Sequence, residues 1–265
     1  MRVAVGQLAS VPDKGSNLRR ALSLVGEAAD GGAQLVVLPE ATMYPFGVAP
    51  DELAAAAEPL EGPFASELAD AATRLSITVV VGLFEVVPGR ARVYNTVAAL
   101  GADGSRGRYR KLHLFDALGW RESDLLEAGP IDGDELLVVK AGRISFGVVT
   151  CYDLRFPELF RALVDRGATA FAVPSAWVAG PLKESHWEIL TRARAVENTC
   201  YLLGAAQPPP QYCGRSVVVD PMGVVTAGVA AGEGLAFAEI TAERVLEVRE
   251  ALPVLAHRRY RVLPA

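Results

Sequence analysis

Short, almost wholly apolar runs alternate with segments of helical period along the whole of this chain, and few architectures can bury such a series. RVAVGQ (Arg2–Gln7) has the pattern of a strand. Asn17–Gly31 carries Leu18, Ala21, Leu22, Val25 and Ala28 at helical spacing and stops at Gly31-Gly32. LVVLPE (Leu35–Glu40) is a strand with no polar face until its end, which suits a sheet covered on both sides. A helix over Pro63–Ser76 leads into strands Ile77–Val86 and Val93–Gly101, joined as a hairpin through Pro88-Gly89. Glu135–Cys151 is expected to fold as two strands about Ala141-Gly142. Helix Phe156–Arg166, strand Thr169–Pro174 and helix Lys183–Asn198 continue the alternation. Strands over Cys200–Ala205, Ser216–Asp220 and Leu235–Ile240 and a helix over Ala242–Leu252 close it. The expectation is one mixed α/β domain spanning residues 1–265, its sheets covered by helices. The tail Pro253–Ala265 fits no element, and such a tail is ordered only where it docks.

Composition narrows the function. Of 265 residues 51% are hydrophobic, enough for a thick core and far from a disordered chain. Twenty-six basic residues against 31 acidic ones leave a net charge of −5, the wrong balance for nucleic acid. The longest uncharged runs, Gly167–Leu182 and Thr199–Gly214, are interrupted by Pro174, Pro181 and Pro208–Pro210, so no membrane span is expected. Asp13 and Lys14 come too early for a signal peptide. Cys151, Cys200 and Cys213 have neither metal nor redox spacing, and with three histidines they offer no metal site. A cytoplasmic globular protein is the expectation.

Three segments exceed the needs of a core. Glu40 ends a fully apolar strand, at the carboxyl edge where α/β sheets place their sites; alone it equally suits a strand cap or an arginine partner. In GRYRKLHLFD, Tyr109, Lys111 and His113 alternate as on one face of a strand, which alone is also the pattern of a solvated edge. In ISFGVVTCYDLRFPELF an apolar strand runs into Cys151, then a turn, then a helix with Pro157 near its start. That geometry exposes a side chain at a sheet edge and aims backbone N–H groups, including that of Tyr152, at whatever binds the sulfur. A lone cysteine after such a strand is also ordinary core. Together the three supply what a thiol nucleophile needs: Glu40 as base, Lys111 as cation and Cys151 as nucleophile.

VAVGQLAS, LPEATMYPFG, VYNTV, YRKLHLFD, RESDLLEAG, CYDLRFPEL, PSAW, HWEILTRARAVENTCYLLGAAQ and SVVVDPMG, in that order, resemble the nitrilase superfamily of carbon–nitrogen hydrolases over nearly the whole chain. The resemblance implies a four-layer αββα sandwich and a catalytic triad of Glu40, Lys111 and Cys151. It also implies a second glutamate, matched by Glu122 in RESD, with Glu127 the nearby competitor that lacks the motif. A homodimer or higher homo-oligomer follows from it, often with the C-terminal tail on the partner. Within the superfamily, YRKLHLFD, CYDLRFPEL and RARAVEN resemble the omega-amidase and deaminated-glutathione amidase branches, whereas true nitrilases typically have Cys-Trp-Glu where this chain has Cys151-Tyr152-Asp153. The implied activity is cofactor-free hydrolysis of a small linear amide of a carboxylic acid through a thioester, with N-carbamoyl amino acid hydrolysis or nitrile hydrolysis as alternatives.

The pocket is less legible. Arg155 suits a substrate carboxylate or an ion pair with Asp153 or Glu158. Tyr44 and Phe46 suit a pocket wall or plain core, and Trp177 follows PSA at another strand end. Cys200 and Cys213 lack a base partner. Two other readings compete: a non-catalytic binding subunit, against which the intact triad speaks, and a Cys–His hydrolase in which His113 replaces Lys111. A dinucleotide-binding fold lacks its G-x-G-x-x-G turn after the first strand.

Overall fold

The computed structural model describes residues 1–263. Two sheets face each other. The first contains β1 (Arg2–Gln7), β2 (Leu35–Val37), β3 (Thr78–Val86), β4 (Val93–Leu100), β5 (Arg106–Arg110) and the short β6 (Leu126–Glu127). The second contains β7 (Leu137–Ala141), β8 (Ile144–Val148), β9 (Ala170–Ser175), β10 (Tyr201–Ala206), β11 (Val217–Val219) and β12 (Val225–Gly228). Strand β13 (Gly234–Glu239) returns to the first sheet, so its order is β13-β1-β2-β3-β4-β5, with β6 beside β4; the second runs β12-β11-β10-β9-β8-β7. Each sheet has a parallel centre, β1-β2-β3 and β8-β9-β10, flanked by antiparallel strands.

Strand periodicity explains the layering. Val3, Val5, Leu35, Val37 and Val80 point inward at the second sheet. Their alternates Ala4, Val36, Val79 and Val81 point outward, under α1 (Lys14–Asp30) and α3 (Pro63–Leu75). Helices α4 (Pro157–Asp165) and α5 (Lys183–Asn198) cover the far side of the second sheet, placing Leu159, Phe160, Leu163, Trp187 and Ala195 against it. The result is an α/β fold of four layers, αββα, and both faces of the central strands are buried.

Four local features depart from the sequence reading. β2 stops at Val37, so Glu40 lies in a turn held by Thr42 Oγ1 donating to the Pro39 carbonyl (2.7 Å). β5 ends at Arg110: the Lys111 N–H still donates to Asn95 (2.8 Å), but the chain then bends, and His113 does not continue a strand face. A short helix α2 (Pro50–Ala56) fills a stretch to which the sequence assigned no element, with Pro50 at its first turn and Asp51 and Glu52 at its positive end. Strand β12, at the edge of the second sheet, is mostly exposed and carries no burial pattern to reveal it. The last helix, α6, spans Ala242–Ala251.

Candidate active site

Three chain segments converge between the carboxyl ends of the two sheets. After β2 the chain turns at Glu40 and passes through Ala41 at φ 56°, a left-handed conformation that aims the glutamate inward. Gly82 of β3 makes room for this turn: a Cβ there would lie 2.5 Å from the Glu40 Cα and 2.7 Å from the Ala41 nitrogen. After β5 comes Lys111. After β8, Cys151 opens a 3-10 turn (Cys151–Arg155) at φ 48°, a backbone strain that non-glycine residues adopt where the surroundings enforce it.

Asp153 enforces it here. This wholly buried carboxylate accepts from the Thr150 N–H (3.1 Å), the Tyr109 hydroxyl (2.7 Å) and the His113 N–H (3.2 Å). The His113 Nδ1 lies 2.7 Å from its Oδ1, and the imidazole stacks on Phe156 at 3.6 Å. Thr150 and Asp153 also form a reciprocal capping box. The node ties the segment after β5 to the Cys151 turn, and it engages His113 away from the cysteine.

Glu40 is fully buried and fully engaged. Its Oε1 accepts from Asn95 Nδ2 (2.6 Å) and Lys111 Nζ (3.0 Å), and its Oε2 accepts from the Ala176 N–H (2.6 Å), just past β9. Gln207 Nε2 donates to the Glu40 carbonyl (2.9 Å) and braces the turn from the second sheet. Lys111, also fully buried, donates to both oxygens of Glu122 (2.9 and 2.8 Å), and Glu122 Oε2 accepts from the Phe115 N–H (2.7 Å). Two carboxylates therefore flank one ammonium. Burial opposes the Lys111 charge, but Glu122 and Glu40 outweigh it, and its pKa stands well above the ordinary lysine value. Burial raises Glu122 above the usual carboxyl range, against the pull of Lys111, and the Glu40 charge adds to the rise. Burial, then the Glu40 charge, raises the Cys151 thiol well above its usual value. The resting thiol is thus protonated beside a carboxylate that can take the proton.

Above this cluster opens a cavity of about 100 Å³, walled by Phe46, Phe115, Leu125, Tyr152 and Trp177, with Cys151 and Glu122 at its floor. The structure brings Glu40, Lys111, Glu122, Cys151, Tyr152 and Trp177 together. Tyr44 and Arg155 it places elsewhere. The Tyr44 hydroxyl donates to Glu52 of α2 (2.6 Å), outside the cavity wall. The Arg155 guanidinium packs over Trp177 (4.9 Å) and Tyr152 (6.0 Å), with Nη2 3.2 Å from His186 Nδ1, and pairs with neither Asp153 nor Glu158. Arg155 is not among the residues lining the cavity, and Glu127 pairs with Arg92 (2.8 Å), also outside that lining. Lys183 and Tyr212, which also line the cavity, carry no sequence signal of a site; nor do Asn95 and Gln207, which hold Glu40.

Two facing α-covered sheets with this cluster at their carboxyl ends define the class: a nitrilase-like αββα sandwich. Comparison with known proteins is specific. The model of the family described as carbon-nitrogen hydrolase matches residues 2–250. A protein named deaminated glutathione amidase, from Escherichia coli O157:H7, is 40% identical over 261 residues, covering 98% of each chain. The C. elegans NitFhit protein superposes with a TM-score of 0.90 at 33% identity over 97% of this chain; this chain spans 65% of that one. The amidase from Nesterenkonia sp. AN1, in complex with acrylamide, superposes with a TM-score of 0.79 at 27% identity, covering 95% of this chain and 94% of that one. The chain belongs to the carbon–nitrogen hydrolase family. It is an amidohydrolase, an enzyme acting on amide bonds.

Proposed function

We propose that the chain hydrolyses a small linear amide of a carboxylic acid through a Cys151 thioester, with Glu40 as general base and acid and Lys111 as oxyanion stabiliser. The observation that carries this reading is the buried contact of Lys111 Nζ with Glu40 Oε1 (3.0 Å) beside the Cys151 thiol, whose pKa burial and the Glu40 charge push up. Glu40 takes the thiol proton as sulfur attacks the amide carbonyl carbon, and the carbonyl π electrons pass to oxygen. The Lys111 ammonium and the Tyr152 N–H stabilise that oxygen; among the described residues nothing accepts from this N–H. Collapse re-forms the carbonyl and breaks the C–N bond, and Glu40 gives its proton to the departing nitrogen. A water molecule then loses its proton to Glu40 and attacks the thioester carbonyl; collapse breaks the C–S bond, Glu40 returns the proton to sulfur, and the acid leaves. Glu122 fixes the lysine through both carboxylate oxygens. No step calls for a metal or organic cofactor.

Substrate size follows from the cavity. A cavity of about 100 Å³ over Cys151 suits a small acyl group rather than folded protein. A remote carboxylate is supported by the relative named for deaminated glutathione, which covers the whole chain. The chain is read as one working unit, residues 1–265, forming homodimers or larger homo-oligomers, with the segment from Pro253 onward docked on a partner subunit. Three free cysteines suit a reducing cytoplasm. Ammonia release from a panel of omega-amide acids, simple amides, N-carbamoyl amino acids and nitriles tests the reading, with Cys151→Ser as control. Fast turnover of omega-amide acids is expected. Nitriles as the fastest substrates, or activity retained by Cys151→Ser, sink it.

A further inference from the structure

Among the described residues, one cation lining the active-site cavity has neither an ion pair nor a hydrogen-bond acceptor. Lys183, the first residue of α5, is only 5% exposed and lines the same cavity as Cys151. Its main chain is clamped: the N–H donates to Gly180 (3.0 Å), and the carbonyl accepts from Trp177 Nε1 (2.8 Å). Its Nζ lies 4.7 Å from the ring centres of both Phe115 and Trp177. Among the described residues no carboxylate comes within 4.0 Å of it and no acceptor takes a hydrogen bond from it. Burial accordingly lowers its pKa. An ammonium held over two aromatic faces without a counter-ion is an expensive arrangement for a fold, and one that an incoming anion relieves.

A second unmatched donor marks the same cavity. The Tyr212 hydroxyl is buried with no hydrogen-bond partner, and it lies close enough to Glu40, Cys151 and Glu122 to feel their charges. The cavity therefore presents apolar walls, one orphan phenol near the reacting atoms and one orphan ammonium. The other cations around it are accounted for. Lys111 is held by two carboxylates; Arg155, outside the cavity lining, stacks on Trp177 with Nη2 3.2 Å from His186 Nδ1, and its charge adds to the destabilisation of the Lys183 ammonium; Arg121 is exposed with Asp124 at 3.6 Å. Charge completes the argument: Glu40, Glu122 and Lys111 sum to −1 when both carboxylates are ionised, so an anionic substrate needs a positive charge at its other end.

We propose that Lys183 is the specificity residue of the cavity, binding the free carboxylate of an omega-amide acid while the amide lies at Cys151. This rests on the amidase reading above and extends it by naming the group that selects the acid. Arg155, the arginine near the nucleophile in sequence, is not that group.

The test compares kcat/KM for succinamate with that for its methyl ester, using wild type, Lys183→Met, Lys183→Arg and Arg155→Met. Wild type should prefer the acid. Lys183→Met should lower the acid-to-ester ratio on the order of tenfold to a hundredfold, mainly through KM, as expected for loss of a charge-assisted contact. Lys183→Arg should keep part of the preference, and Arg155→Met should keep it all. Inhibition of wild type by succinate should be stronger than by butyrate, a measurement independent of variant folding. A merely structural lysine would lower both substrates alike and leave the ratio unchanged; that result overturns the proposal. So does a wild type with no acid preference, or a ratio that collapses in Arg155→Met. Failure of the amidase reading looks different: no ammonia from any amide, by any of the four proteins.

Discussion

Cys151 combines a strained backbone, φ 48°, with a thiol that burial and Glu40 push well above its usual pKa. On the proposed mechanism the nucleophile is made on demand by Glu40 rather than stored as thiolate. Cys151→Ser should fold and be inactive in ammonia release, since a hydroxyl is a far weaker acid than this thiol. Lys111→Ala should lower kcat roughly 10²–10³-fold, the loss of one preorganised oxyanion donor, and Glu40→Gln at least as much. His113→Ala should be milder than either, because His113 faces Asp153. The pH response has a definite sign. A raised thiol pKa means that the thiolate fraction grows as pH rises, so iodoacetamide labelling of Cys151 should climb from about pH 6 to 9 without a plateau. Cys200 and Cys213, both pushed to about 11 and buried outside the active-site cavity, should label after it in peptide mass mapping. A plateau near neutral pH would mean a preformed thiolate and a different activation.

Elements set these residues to a tolerance that single substitutions can probe. At Gly82 the neighbours are backbone atoms of the Glu40 turn, so a methyl has no flexible side chain to push aside. Gly82→Ala should displace Glu40 and depress kcat far more than it lowers Tm; equal retention of both would show that the turn relaxes at no catalytic cost. Two of the strands that carry the site, β2 and β8, were legible because their apolar runs lead directly to a charged or nucleophilic residue within three positions of the strand end. Glu40 and Cys151 stand out for that reason, and Lys111 by following an alternating run. Side chains acting from within regular elements were not legible. Asn95 lies mid-strand in β4, where an isolated polar residue signals nothing about its partner across 55 residues. Lys183 opens a helix, where a lysine ordinarily faces water; only the loop from Trp177 to Leu182 turns it into the cavity. Arg155 shows the converse. Its spacing from Cys151 left a substrate carboxylate and an ion pair equally open, and the 3-10 turn carries it onto Trp177 and beside His186 instead.

At the scale of the molecule, α5 links the cavity to the outer surface. Its first residue, Lys183, lines the cavity, while Ile189 and Val196 further along are 63% and 39% exposed. Met222 and Val224 stand beside them, 49% and 57% exposed. Their turn abuts Val196, whose Cγ2 would lie 2.6 Å from a Cβ on Gly223, and Arg192 Nε donates to the Gly223 carbonyl (2.8 Å). Clustered aliphatic side chains on a rigid helix and an adjoining turn make a surface that water disfavours and that a second copy can cover. The tail points the same way. Arg258 anchors it to Asp165 (2.5 Å), yet Tyr260 and Leu263 beyond are 92% and 80% exposed, large side chains that among the described residues remain open to solvent. Sedimentation velocity of the wild type should show twice the 28.1 kDa chain mass or a higher multiple. Val196→Asp places a charge that cannot be desolvated at the centre of this patch and should give the single-chain mass with secondary structure intact. Truncation after Arg258 should weaken association without abolishing folding, since none of the described residues removed, 259–263, belongs to the core. A wild type sedimenting as one chain at tens of micromolar would remove the assembly from the account and leave the exposed face of α5 without a role.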